Sequence, residues 1–62
     1  MQSLKTKNSD MLEQYLETEK LLRKIAKNYW KDRQLSMATM DTLNSTMERI
    51  RYYQDEIKNG NP

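Results

Sequence analysis

The chain has 62 residues, a formal net charge of +2, 32% charged side chains and 35% apolar side chains, so it forms one small domain at most. It contains no cysteine and no histidine. This composition excludes disulfides, zinc fingers and histidine-based acid–base catalysis. A core of this size supplies only about 3–5 kcal/mol by itself, so we expect a partner subunit to add stability.

The composition favours helices over strands. The only glycine and the only proline are Gly60 and Pro62, so no strong helix breaker occurs in the preceding 59 residues. Valine and phenylalanine are absent, and Ile25, Ile50 and Ile57 are the only β-branched aliphatic residues. The sequence therefore predicts an all-α protein.

Helix one is predicted from about residue 10 to residue 32. Asp10 and Glu13 have the spacing of a capping box. Acidic residues dominate the first half of this segment and basic residues the second half, which is the order that the helix dipole favours. Residues 1–8 and 59–62 are expected to fray, and Leu4 is expected to dock if the helix extends towards the N-terminus.

Helix two is predicted from about residue 37 to residue 58, after a break between residues 32 and 35. Ser36 is the expected N-cap, and Leu35 is placed to pack against Met40 as a hydrophobic staple. Asn59 and Gly60 supply a C-terminal stop signal. The predicted single domain, residues 1–62, thus contains two helices of similar length.

Both helices carry residues at alternating steps of three and four, the spacing of a coiled-coil seam. The predicted seam consists of Leu4, Asn8, Met11, Tyr15, Thr18, Leu22, Ile25 and Tyr29 in helix one, and Met40, Leu43, Met47, Ile50, Gln54 and Ile57 in helix two. If the chain folds back near Gln34, the two seams meet layer by layer and form an antiparallel hairpin. The alternative is one uninterrupted helix in a parallel coiled coil, but the pattern changes phase across residues 32–36.

A second stripe on helix one predicts self-association. It pairs symmetrically about the level of Leu21: Leu12 with Trp30, Leu16 with Ala26, and Glu19 with Arg23. Such self-complementarity is expected of a two-fold dimer interface, which would join two hairpins in a four-helix bundle. The alternatives are that these residues cover their own hairpin or are scattered exposed apolar side chains.

Two further surfaces are candidates for binding. Arg49 and Tyr52 form a candidate partner contact, because tyrosine and arginine are enriched at interfaces; a solvated Tyr52 is the alternative. Four lysines follow one ridge of helix one and are candidate nucleic-acid contacts: Lys20, Lys24, Lys27 and Lys31. A merely solvated face is the alternative for this ridge.

The functional expectation is a small helical interaction module that presents a helix face to a larger partner, as an adaptor, assembly factor or inhibitor. The alternatives are a nucleic-acid-binding regulator and a small subunit of a heteromeric complex. No catalytic constellation, metal cluster or cofactor cradle is visible, so we expect neither enzyme activity nor a cofactor. No apolar run is long enough to span a membrane and no secretory signal is visible, so a cytoplasmic location without a membrane partner is expected.

Overall fold

The computed structural model describes residues 6–61, which form two α-helices, α1 (Lys7–Asn28) and α2 (Arg33–Lys58). The helices pack against each other as an antiparallel hairpin, with Tyr15 stacked on Tyr53 near the open end. The predicted all-α hairpin is confirmed, and the alternative of one uninterrupted helix is wrong. Leu4 and its predicted docking lie outside the described residues. Neither helix is long and apolar enough to cross a lipid bilayer.

Helix α1 begins three residues before the predicted start. Thr6 is its N-cap, and the Thr6 hydroxyl accepts a hydrogen bond of 3.4 Å from the backbone N–H of Ser9. Asp10 therefore does not cap the helix. It lies in the first turn, where its negative charge interacts favourably with the positive end of the helix dipole. At the other end, α1 stops at Asn28 rather than continuing to residue 32.

Helix α2 begins four residues earlier than predicted, because Asp32 and not Ser36 is its N-cap. The Asp32 carboxylate accepts a hydrogen bond of 3.1 Å from the backbone N–H of Leu35. Ser36 lies inside the helix and donates its own backbone N–H to the Asp32 carbonyl at 2.8 Å. Aspartate caps a helix as well as serine does, and the earlier start adds a full helical turn of hydrogen bonds.

The C-terminal end of α2 confirms the predicted stop at Asn59 and Gly60. Gly60 has a φ of +89°, its N–H donates to the Ile57 carbonyl, and the N–H of Asn61 donates to the Glu56 carbonyl. These bonds constitute a Schellman motif, which needs a left-handed residue after the helix. The Asn8 side chain also donates to the Asn61 carbonyl at 2.8 Å, so residues 59–61 are held against α1 rather than frayed.

The contact between the helices differs from the predicted seam on α2. Ile50 is the buried apolar residue of the described chain, with 8% of its surface exposed, and Thr39 and Thr46 are buried between it and the turn. Leu43 and Tyr53 are half-buried on the same face. The predicted seam residues Met40, Met47, Gln54 and Ile57 are instead exposed; Leu43 and Ile50 are the predicted α2 positions that face α1.

Small side chains explain this difference. A threonine at the contact lets the two helix backbones approach more closely than a methionine does, and its hydroxyl is satisfied inside its own helix. The Thr46 hydroxyl donates to the Thr42 carbonyl at 2.8 Å. Tyr53 of α2 stacks on Tyr15 of α1, with ring centroids 5.7 Å apart. The sequence pattern predicts Gln54 as the residue that faces Tyr15.

The predicted seam on α1 is confirmed over most of its length. Asn8, Met11, Tyr15, Leu22 and Ile25 are all half-buried. The exceptions in the described residues are two positions at the edge of the contact, where the side chains are exposed: Thr18 and Tyr29.

We expect Ile50→Ala to lower the free energy of unfolding by about 2–4 kcal/mol, because it removes buried apolar surface and leaves a cavity. Urea denaturation followed by circular dichroism measures the change. Leu21→Ala is the matched control, since Leu21 is 62% exposed and its truncation should cost less than about 0.5 kcal/mol. Equal losses in the two variants would contradict the observed core.

The start of α2 gives a second test. Asp32→Ala should lower the free energy of unfolding by about 1 kcal/mol, because the N–H of Leu35 loses its acceptor. Ser36→Ala should change it little, since the Ser36 side chain does not cap the helix. Thermal denaturation of both variants checks this order, and the reverse order would place the cap at Ser36.

Candidate interaction surfaces

One flank of the hairpin collects apolar side chains from both helices. We call it the methionine–leucine face and define it by Leu12, Leu16, Ala26 and Trp30 on the α1 side and Met40 and Met47 on the α2 side. Leu16, Trp30, Met40 and Met47 are exposed large apolar residues, with Trp30 at 66% and Met40 at 55%. Leu12 and Ala26 are half-buried at the junction of the helices. The two halves adjoin, because the Arg23 guanidinium lies 3.9 Å from the Met47 sulfur.

The centre of this face is polar. Arg23 and Glu19 form an ion pair of 2.9 Å, one helical turn apart on α1. The Glu19 side chain is mostly covered and the Arg23 side chain is mostly exposed. Within one chain the two charges of the predicted dimer stripe thus compensate each other, and the Arg23 side chain also covers Met47.

Five residues of the predicted dimer stripe lie on α1, whereas Trp30 lies in the turn that follows it. Glu19 and Arg23 contact each other, and the pairing of the stripe with a second chain stays a prediction. Two further residues on this flank, Met40 and Met47, are exposed, whereas the sequence pattern predicts them in the seam between the helices. Met37 is also exposed at the start of α2. The sequence contains a pattern that is compatible with this arrangement. Thr39 and Thr46 are seven residues apart, as are Met40 and Met47, so either pair could line the contact with α1.

The opposite flank carries a groove whose lining side chains all bear a polar or charged group, and we call it the polar groove. It is a shallow depression of about 560 Å³, lined by Tyr15 of α1 and by the following residues of α2: Thr42, Ser45, Thr46, Glu48, Arg49 and Tyr52. Tyr52 is exposed and packs edge-on against Tyr53, with ring centroids 5.0 Å apart. The candidate contact residues Arg49 and Tyr52 thus lie on the same wall of the groove, joined to the Tyr15–Tyr53 stack.

The lysine ridge follows the outer side of α1 and continues into the turn, because α1 ends before Lys31. All four predicted side chains are exposed: Lys20, Lys24, Lys27 and Lys31. Over residues 6–61, none of these lysines has a carboxylate within salt-bridge distance. At the tip of the hairpin, the Lys31 ammonium lies 5.4 Å from the centre of the Trp30 ring.

Two properties of the described residues concern their polar side chains. In the part of the chain from Thr6 to Asn61, no three acidic side chains converge on a point where a metal ion would fit. The buried side-chain nitrogen and oxygen atoms of the same residues all have hydrogen-bond partners. The chemistry that these surfaces offer is apolar contact, charge and aromatic stacking.

Comparison with known proteins assigns no family: no family model, no curated protein and no solved structure matches this chain.

Proposed function

We propose that this protein is a small helical interaction module that self-associates through the methionine–leucine face and presents its opposite flank to a larger partner protein. The observation that carries the proposal is the distribution of apolar surface. One apolar residue, Ile50, is buried within residues 6–61, whereas large apolar side chains from both helices are exposed together on one flank.

The thin core makes a partner energetically useful. A short hairpin that buries few apolar side chains gains little from the hydrophobic effect, and oligomerisation is a common way for small domains to compensate. Covering the methionine–leucine face would remove Leu16, Trp30, Met40 and Met47 from water. Tryptophan and methionine are enriched in interface cores, and Trp30 is the natural anchor.

The chemistry of the face favours a second copy as the partner. In a two-fold arrangement with antiparallel α1 helices, Leu12 of one copy meets Trp30 of the other, and Leu16 meets Ala26. The two ion pairs between Glu19 and Arg23 then lie side by side near the axis. Opposite charges alternate there, and no like charges are forced together.

Charge along α1 selects the same orientation. The first half of the helix is acidic and ends at Glu17 and Glu19, and the second half is basic. Its lysines, Lys20, Lys24 and Lys27, lie outside the methionine–leucine face and act on the partner only through their long-range field. Antiparallel packing places the acidic half of one copy over the basic half of the other. Parallel packing would place like charges together and is therefore disfavoured. The proposed assembly is a four-helix bundle.

The polar groove remains outside this bundle, because it lies on the flank opposite the methionine–leucine face. Arg49 and Tyr52 would then be available on both copies for contact with a larger protein. Tyrosine and arginine supply much of the binding energy at protein interfaces. The second candidate, a subunit of a heteromeric complex, uses the same apolar face but covers it with a different chain.

Leu16→Glu is the direct test of self-association. We expect the wild-type chain to sediment at twice its mass of 7.5 kDa. The variant should sediment as a monomer or lose its helical circular dichroism, because a carboxylate would be buried at the interface without a partner.

Leu21→Glu is the matched control, since Leu21 points away from the methionine–leucine face and is exposed. This variant should remain a dimer. A wild-type chain that is monomeric and fully helical at high concentration would contradict the proposal. A chain that is unfolded alone but folds when another protein is added would favour the heteromeric alternative.

A further inference from the structure

We infer that the outer side of α1 and the tip of the hairpin form a binding site for single-stranded nucleic acid. The site consists of the lysine ridge together with the two aromatic residues that follow α1, Tyr29 and Trp30. The ridge lies outside the methionine–leucine face, whereas Trp30 belongs to both surfaces. Stacking of a base on Trp30 and burial of Trp30 in the proposed dimer therefore exclude each other, and the inference applies to a chain in which this end of the face is uncovered.

The ridge supplies a row of cations with regular spacing. Lys20, Lys24 and Lys27 lie on α1 at steps of three or four residues, which correspond to about 4.5–6 Å along the helix axis. Lys31 follows in the turn beyond the end of α1. None of them is neutralised by a carboxylate among residues 6–61. A flexible anionic chain that runs along α1 can therefore place one phosphate near each ammonium group.

The tip adds stacking surfaces at the end of this row. Tyr29 and Trp30 are 56% and 66% exposed, and both rings lie in the turn between the helices rather than in the core. Lys31 sits over the Trp30 ring, so the last cation of the ridge and the exposed indole are adjacent. Cations next to exposed aromatic rings are the combination that binds unpaired bases.

Two features favour a single strand over a duplex. Stacking on Trp30 requires a base whose face is open, and a duplex hides these faces. The ridge is also short, because Glu17 precedes it and Asp32 follows it, so the row of cations covers only a few phosphates. An anionic lipid surface would also attract the lysines, and it is therefore included as an outcome of the test.

The experiment measures binding of the wild-type chain to labelled oligothymidylate and oligouridylate of about 20 nucleotides, by fluorescence anisotropy. We expect binding to both strands, weaker binding to a duplex of equal length, and quenching of Trp30, the one tryptophan of the chain. If three or four phosphates are contacted, raising the salt from about 50 to 200 mM should weaken binding by roughly 20–50-fold.

A pair of double variants separates the ridge from net charge. Lys24→Gln with Lys27→Gln should weaken binding and reduce the slope of the logarithmic salt dependence by about 1.4. Lys7→Gln with Lys58→Gln removes the same charge away from the ridge and should leave the slope unchanged. Trp30→Leu should weaken binding by roughly tenfold, while Trp30→Phe should retain most of it because a phenyl ring still stacks.

Three results would overturn the inference. The first is no binding at the lower salt concentration, and the second is an equal effect of the two double variants. The third is binding without a change in Trp30 emission, which would remove the tip from the site. A blue shift of Trp30 emission with phosphatidylglycerol vesicles, without any response to oligonucleotides, would assign the ridge to a lipid surface instead. Sedimentation without nucleic acid tests self-association separately.

Discussion

The packing of a threonine-lined face of α2 against α1 is the constraint on which the other features of this structure depend. Thr39 and Thr46 are buried on the same face of α2 as Ile50, and their short side chains leave space for the half-buried residues of α1. The Tyr15–Tyr53 stack closes the contact near the open end of the hairpin. Since threonine contributes little apolar surface, this contact gains only a small amount of hydrophobic free energy.

The position of the methionines follows from this contact. Because Thr39 and Thr46 face α1, the adjacent positions 40 and 47 point to one flank, where they meet the apolar stripe of α1. The Arg23 side chain links the two helices across this flank. The rotation of α2 about its own axis therefore determines both the small core and the exposed apolar face that we propose for self-association.

The same orientation of α2 gives the two flanks of the hairpin different side chains. The groove side presents hydroxyls, Arg49 and Tyr52, and the outer side of α1 presents the lysine ridge. A hairpin with these three surfaces can associate with itself and still have polar and basic surfaces available to other molecules. In our proposals the apolar face assembles the bundle, while the groove and the ridge select partners by charge and aromatic contact.

The sequence by itself determined the helical class, the antiparallel hairpin, the seam of α1 over most of its length, the stop at Gly60 and the exposed lysine ridge. These features depend on composition, helical period and local backbone preference, which neighbouring residues carry. Only the tertiary structure decided that Asp32 starts α2 and that Thr39, Thr46 and Tyr53, rather than Met40, Met47 and Gln54, face α1. Hydropathy favours methionine over threonine at a core position. The observed contact depends instead on how side chains of the two helices fit together and on the Tyr15–Tyr53 stack, and both require the other helix to be in place.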